Sequence, residues 1–158
     1  MEQGATVNIG MRFGGFKFFR FGFIDVNNCD DESLGVQLSV DIKEGSPEDP
    51  PVDDGKKKLF VKVTALFICD TSKEVLANIE CVSLFGLDGV PNDLDEQGQM
   101  KYPDRLLTTL VSLAISTTRG AILAKGAGSF LERLPLPIVD PKEFVEKMKL
   151  QEGTGAAG

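Results

Sequence analysis

Four segments in the first ninety residues alternate apolar and polar side chains with the two-residue period of a β-strand. We predict strands over residues 16–25, 35–42, 59–70 and 75–87. The second segment alternates most clearly, with an inward-facing set made of Val36, Leu38, Val40 and Ile42. Because no helical segment separates the four strands, they predict an antiparallel meander.

The first strand is dense in phenylalanine. Strict alternation places Phe19, Phe21 and Phe23 on one face and Phe16 and Phe18 on the other, so we expect both faces of this strand to be covered. The third and fourth strands are joined by a short turn around residues 71–74, which indicates a hairpin.

Apolar residues from Asp104 onward follow the three- and four-residue spacing of a helix, which predicts one long helix continuing to Ile122. Gly126 and Gly128 should end it. A phosphate-binding loop at these glycines is disfavoured, because no strand precedes them and no Gly-Lys-Ser sequence closes them. For Arg119 we favour a packing role over a ligand contact.

Prolines then dominate the stretch that follows the long helix. Pro135 and Pro137 fix the backbone, so residues 134–139 should run as an extended strap. Asp140, Pro141 and Glu143 have the order of an N-cap, a first-turn proline and a capping-box acid, which predicts a second, short helix. Phe144 and Met148 give that helix an apolar face.

The predicted fold class is therefore α+β, with a four-stranded antiparallel meander, a long helix, a proline-containing strap and a short C-terminal helix. We divide the chain into a flexible arm (1–15), a single domain (16–150) and a flexible tail (151–158). Residues 43–58 combine prolines, glycines and charges, and we predict a long connecting loop there.

Composition narrows the possible functions. The chain of 158 residues has a net charge of −7 and a pI near 4.6, which disfavours binding to nucleic acid or anionic lipid. Residues 106–124 form the longest apolar region, but hydroxyl side chains and Arg119 interrupt it, so we expect no membrane insertion. The odd set of three cysteines predicts reduced thiols and a cytoplasmic location.

The chain contains no histidine, which removes the commonest general base and metal ligand. We therefore expect no enzyme activity, no metal and no cofactor. The acidic runs lie in predicted loops and lack the spacing of a calcium site. By contrast, eleven phenylalanines exceed what a small sheet with one covered face requires, so part of this surface should meet a second subunit or a ligand.

The order of elements resembles the SecB family of protein-export chaperones and its SecB-like relatives, over roughly residues 16–148. Three sequence features carry the resemblance: Tyr102-Pro103 before the long helix, Thr118-Arg119-Gly120 within it, and the run LPLPIVDPKEF after it. The resemblance implies an ATP-independent holdase that assembles as a dimer or tetramer and holds non-native or precursor polypeptides in a hydrophobic groove.

By this resemblance, the strap and its neighbours would line the client groove; these residues are Phe130, Leu131, Leu134, Leu136, Ile138, Val139 and Phe144. The family presents acidic residues on the outer sheet to the export ATPase, and the candidates here are Asp25, Asp41 and Glu80. A dedicated client, as in SecB-like chaperones that protect an antitoxin, is an equal possibility. Two other classes stay open: an interaction or inhibitor protein with one folded partner, and a small-molecule binder.

Overall fold

The computed structural model describes residues 8–24, 33–45, 57–91, 94–98, 100–133 and 136–155, with side chains described as far as Met148. The regular elements, in chain order, are β1 (Gly10–Phe23), β2 (Leu34–Glu44), β3 (Lys57–Cys69), β4 (Val75–Asp88), α1 (Asp104–Lys125), a 3-10 turn (Phe130–Glu132) and α2 (Pro141–Gly155). This confirms the predicted α+β class with its sheet followed by a long and a shorter helix.

The sheet is antiparallel throughout, but its strands are not in sequence order. The order is β1-β4-β3-β2, so β2, β3 and β4 form a meander while β1 crosses over to pair with β4. The arrangement is therefore a Greek key rather than a simple meander. β1 also begins six residues before the predicted strand, so residues 10–15 belong to the sheet and not to a flexible arm.

One face of the sheet is covered by the helices and holds the core. Alternate residues of β3 and β4 are buried on this face, as the two-residue period predicts. The core has two clusters: one under the first half of α1 and under α2, the other under the end of α1 and the 3-10 turn. We call the helix-covered side the inner face and the opposite side the outer face.

Two irregularities in β1 alter the predicted placement of its phenylalanines. The register with β4 shifts between Phe13 and Gly15 and again between Phe18 and Arg20. Each shift is a β-bulge that adds one residue and reverses the alternation that follows. Five rings consequently lie opposite inner-face residues of β4, namely Phe13, Phe16, Phe18, Phe21 and Phe23.

The prediction that Phe16 and Phe18 lie on the opposite face from Phe21 and Phe23 was therefore wrong. Phe19, which the alternation grouped with Phe21 and Phe23, is the extra residue of the second bulge and has no opposite residue in the β1–β4 register. It is 63% exposed and lies on the outer face beside Lys17, whose ammonium is 5.6 Å from the centre of its ring.

Helix α1 ends where the glycines predict. The amide of Gly126 donates to the carbonyl of Ile122 at 2.8 Å. Ser129 then caps the 3-10 turn by accepting from the Leu131 amide at 3.2 Å. A helix stop, not a phosphate loop, is thus the role of this segment. By length and composition α1 could also cross a membrane, a criterion that core helices satisfy too, and here it packs on the sheet.

The N-cap of α2 is also as predicted. Asp140 accepts a hydrogen bond from the amide of Lys142 at 3.0 Å, and the helix begins at Pro141. α2 reaches Gly155, so the part of the predicted tail up to that residue is helical.

The cysteines differ from the prediction of three reduced thiols. Cys69 is in a disulfide, Cys81 is a free and buried thiol, and Cys29 lies outside the described residues. The prediction was therefore wrong at Cys69. The cytoplasmic location, which depended on it, stays a prediction.

Candidate functional site

An open groove of about 780 Å³ lies between the inner face of β2, the segment before α1, and α2. Its apolar lining comes from three layers of the fold: Val40, Ile42, Leu59, Met100, Leu107, Val145 and Met148. Polar residues at its edge include Glu44, Asp95 and Lys101. A groove with an apolar floor and a polar rim suits an extended chain with large apolar side chains.

The groove exists because β2 is an edge strand that the helices cover incompletely. Val40 and Ile42 alternate onto the inner face and pair with Val63 and Val61 of β3. Both remain half-buried, whereas their β3 partners are almost fully buried. α2 forms the opposite wall with Val145 buried and Met148 half-buried, so apolar surface is accessible along the space between.

A single hydrogen bond joins two walls of this groove. The hydroxyl of Tyr102, just before α1, donates to the carboxylate of Glu44 at the end of β2 at 2.9 Å. Burial and the nearby Glu44 carboxylate both raise the pKa of Tyr102 well above its ordinary value. The hydroxyl therefore keeps its proton and remains a donor over the physiological pH range.

Three of the residues that the resemblance assigned to a client groove are buried in the core. Two of them lie in the 3-10 turn and one lies in the strap. Phe130, Leu131 and Leu136 are buried in the second core cluster, and Leu136 is only 3% exposed. In this conformation they pack against the sheet within one chain, so they do not line an open groove. Their apolar side chains complete the core because the strap lies flat on it.

The other residues that the resemblance assigned to the groove are more accessible. Val139 and Phe144 are half-buried and pack against the first cluster. Ile138 points away from the core and is 95% exposed. Leu134 lies outside the described residues. Contact of any of these residues with a client stays a prediction.

Arg119 holds the strap to α1. Its guanidinium donates from Nε to the Leu136 carbonyl at 3.2 Å and from Nη2 to the Pro137 carbonyl at 3.1 Å. The predicted packing role of Arg119 is confirmed. These bonds fix the backbone of the strap at Leu136 and Pro137, shortly before α2 begins at Pro141. They therefore help to position α2.

Of the three predicted partner-binding acids, Asp41 and Glu80 lie on the outer face, in neighbouring rows of the sheet. Both already pair with cations. Glu80 lies 3.1 Å from Lys62 Nζ and 3.7 Å from Arg20 Nε, and Asp41 lies 3.8 Å from Lys43 Nζ. Asp25 lies outside the described residues.

Sequence reasoning missed most of the groove lining, including Met100, Leu107, Val145 and Met148. Helical spacing had placed Leu107 and Met148 on apolar faces but could not show which surface they would meet. The signal closest to the site was Tyr102, which the resemblance singled out without a role. Within the described part of the chain, no group of His, Cys, Asp and Glu could hold a metal ion.

Comparison with known proteins places the fold. No family sequence model and no curated protein sequence matches the chain. Among solved structures, it is similar to the Mycobacterium tuberculosis SecB-like chaperone Rv1957 in complex with a ChAD peptide from the HigA1 antitoxin. The TM-score is 0.53 at 10% identity, over 82% of this chain and 88% of the other. The fold is therefore SecB-like.

A second similar structure is a protein of unknown function from Streptococcus agalactiae. It has a TM-score of 0.41 at 8% identity and covers 84% of this chain and 98% of the other.

Proposed function

We propose that this protein is an ATP-independent holdase that binds segments of non-native polypeptides in the groove between β2, the segment before α1, and α2. The observation that carries the proposal is the groove itself, an open channel at the edge of a SecB-like fold, whose lining combines apolar side chains with polar ones. Extended clients expose alternating apolar side chains, and such a channel can take them without reading a specific sequence.

The magnitude of binding fits transient holding. Covering roughly 400 Å² of client apolar surface would contribute about 10 kcal/mol before costs. Association entropy and ordering of the client offset most of it. Met100 and Met148 in the lining suit varied clients, because the unbranched methionine side chain adapts to different shapes.

A dedicated client is the second candidate. The structure that supports it is the similar SecB-like chaperone, which was solved with an antitoxin peptide. The same groove would then hold one partner's segment. The two candidates differ in the number of sequences bound and not in the site.

Assembly into a homo-oligomer, as a dimer or tetramer, is part of this proposal. β1 is an edge strand with exposed phenylalanines, and an open edge invites pairing. Between Arg105 and Arg119, α1 carries no charged residue, although Ser112, Leu113 and Ser116 are exposed. Uncharged exposed helix faces are typical of subunit interfaces.

Delivery of clients to an export ATPase has less support, because Asp41 and Glu80 are already paired with cations on the outer face.

The test is suppression of aggregation of a chemically unfolded protein as it is diluted into buffer without nucleotide, followed by light scattering. We expect the wild type to suppress aggregation and Met148→Asp to lose most of that activity, because a carboxylate would then line the apolar wall. Val75→Asp is the matched control, since Val75 is half exposed and lies at the β3–β4 hairpin, outside the groove lining.

Circular dichroism would confirm that both variants fold. Full suppression of aggregation by Met148→Asp would contradict the proposal that clients bind in the groove. Failure of the wild type to suppress aggregation, together with recovery of a single partner by affinity capture, would select the dedicated-client candidate.

A further inference from the structure

The outer face of the sheet carries an organised surface that the groove does not use. Residues directly opposite one another in neighbouring strands share a face, so the register defines successive outer rows, four of which lie between the Gly10-Asp88 row and the Gly22-Asn78-Leu66-Gln37 row. From one strand edge to the other, these rows are Arg12-Gly86-Lys58, Gly15-Leu84-Phe60-Lys43, Lys17-Val82-Lys62-Asp41 and Arg20-Glu80-Thr64-Ser39.

The charge of these rows is opposite to that of the whole chain. In the described strands they hold six basic and two acidic side chains, a net of +4, on a protein whose net charge is −7. Both acids contribute to holding the cations in place, as Glu80 bridges Lys62 and Arg20. Lys17 has no carboxylate partner among the described residues and lies over the Phe19 ring.

The centre of the same rows is apolar. Phe60, Leu84 and Val82 are half-buried neighbours on β3 and β4, and Phe19 borders them from β1. Gly15 contributes no side chain at the β1 end of its row, and a Cβ placed there would have no atom within 4 Å. The result is a shallow depression of about 680 Å³ edged by Lys17, Lys43 and Lys62, with Asp41 and Glu44 at its β2 end.

From this arrangement we propose that the outer face binds an acidic segment of a partner protein that carries large apolar side chains between its carboxylates. Charge complementarity selects the acidic residues, and the Phe60-Leu84-Val82 centre takes the apolar ones. Rows repeat every two residues, about 7 Å apart, and the side chains of an extended segment that point the same way are also two residues apart. A segment whose every second residue is by turns acidic and apolar therefore matches their spacing.

Nucleic acid is the less favoured occupant. Of the three phenylalanines that line the depression, Phe16 and Phe60 are half-buried, which leaves Phe19 as the ring exposed enough for a base to stack on. The acidic remainder of the molecule would also repel a long phosphate backbone. A short acidic peptide avoids this repulsion because it stays within the basic rows.

The experiment uses fluorescence anisotropy with the full chain and three labelled peptides of equal length, in which every second residue is by turns leucine and glutamate, leucine and glutamine, or leucine and lysine, with serine at the positions between. We expect the glutamate peptide to bind about tenfold more tightly than the glutamine peptide at low salt, with the difference shrinking as salt is added. Lys17→Glu/Lys43→Glu should remove that preference. Both lysines are exposed, so the fold should tolerate the change.

The matched control is Lys142→Glu/Lys147→Glu, which makes the same charge change at two exposed positions of α2 and should keep the preference for glutamate. Phe19→Ser should weaken all three peptides, because it removes apolar contact without changing charge. Suppression of client aggregation should be unaffected by the Lys17 and Lys43 changes, since the groove lies on the inner face.

Equal affinity for the three peptides would overturn the proposal, as would an unchanged preference in Lys17→Glu/Lys43→Glu. Tighter binding of a polyuridine oligonucleotide than of the glutamate peptide at the same salt would also overturn it and assign the face to nucleic acid.

Discussion

The guanidinium of Arg119, in the second half of α1, is bonded to the backbone carbonyl of Leu136, seventeen residues later. A second bond to the Pro137 carbonyl makes the contact a fork, which the planar guanidinium suits. The side chain of Leu136 is buried in the core, while its backbone carbonyl accepts the hydrogen bond from Arg119. The strap is thus fixed on both sides.

Replacing Arg119 should loosen this fixation. We expect Arg119→Ala to lower the free energy of unfolding by about 1–3 kcal/mol, because two carbonyls lose their donors. Arg119→Lys should recover part of the loss, since one ammonium cannot reproduce the fork. Urea denaturation would measure both, with Arg105→Ala at an exposed α1 position as the control. An unchanged unfolding midpoint in Arg119→Ala would show that the strap does not depend on it.

The two apolar residues of the strap should respond in opposite ways to a charge. Leu136→Asp should unfold the protein or cost more than about 3 kcal/mol, because it buries an unpaired carboxylate. Ile138→Asp should change stability by less than about 0.5 kcal/mol, since its side chain is solvent-exposed. Thermal unfolding compares them directly. If Ile138→Asp folds normally but loses suppression of client aggregation, Ile138 contacts clients as the resemblance implied.

Two glycines of the α1 region offer a matched pair for alanine substitution. A Cβ at Gly126 would lie 2.7 Å from the Leu131 Cβ and 2.8 Å from the Ile122 carbonyl oxygen, so Gly126→Ala should be destabilising. A Cβ at Gly120 meets open space within the helix, so Gly120→Ala should stabilise by about 0.5–1 kcal/mol. Stabilisation by both substitutions would mean that the 3-10 turn does not pack tightly against the end of α1.

Stability should fall in alkaline solution. Burial raises the pKa of the Cys81 thiol from 9.0 to about 12, a rise that the nearby Thr118 side chain partly offsets. The unfolded thiol loses its proton near pH 9 while the folded one keeps it. The stabilisation is therefore complete below pH 9 and is lost as the pH rises towards 12, by at most about 1.4 kcal/mol per pH unit.

Urea denaturation from about pH 8 to about pH 11 would measure this dependence. Cys81→Ala should show a shallower decline than the wild type, whatever its absolute stability. Tyr102 adds a decline of the same sign above pH 10, because its pKa is raised as well, so the double variant with Tyr102→Phe should be the flattest. Identical slopes in the wild type and Cys81→Ala would contradict the assignment.

The parts of the fold that local pattern determines were predictable from sequence. Alternation along β3 and, from Ala77 onward, along β4 correctly separated buried from accessible residues, because both strands lie at the centre of the sheet with one face sealed by helices. It was wrong at Val75, which alternation places inward but which is 50% exposed. The N-cap at Asp140 and the stop at Gly126 were also correct. Each depends on hydrogen bonds within a few residues of the chain.

The errors arise where distant segments decide the outcome. The bulges of β1 depend on its pairing with β4, more than fifty residues later, and they moved Phe16 and Phe18 onto the same face as Phe21. For the same reason the groove could not be assembled from sequence. Its walls are Ile42, Tyr102 and Met148, which no local period connects.

β3 carries the floor of the core on its odd-numbered residues and the basic, greasy exterior on its even-numbered ones. Neighbouring positions such as Lys62 and Val63 thus lie on opposite faces of the same strand. A substitution on the exterior can therefore change the charge of that face while the packing of the interior stays intact.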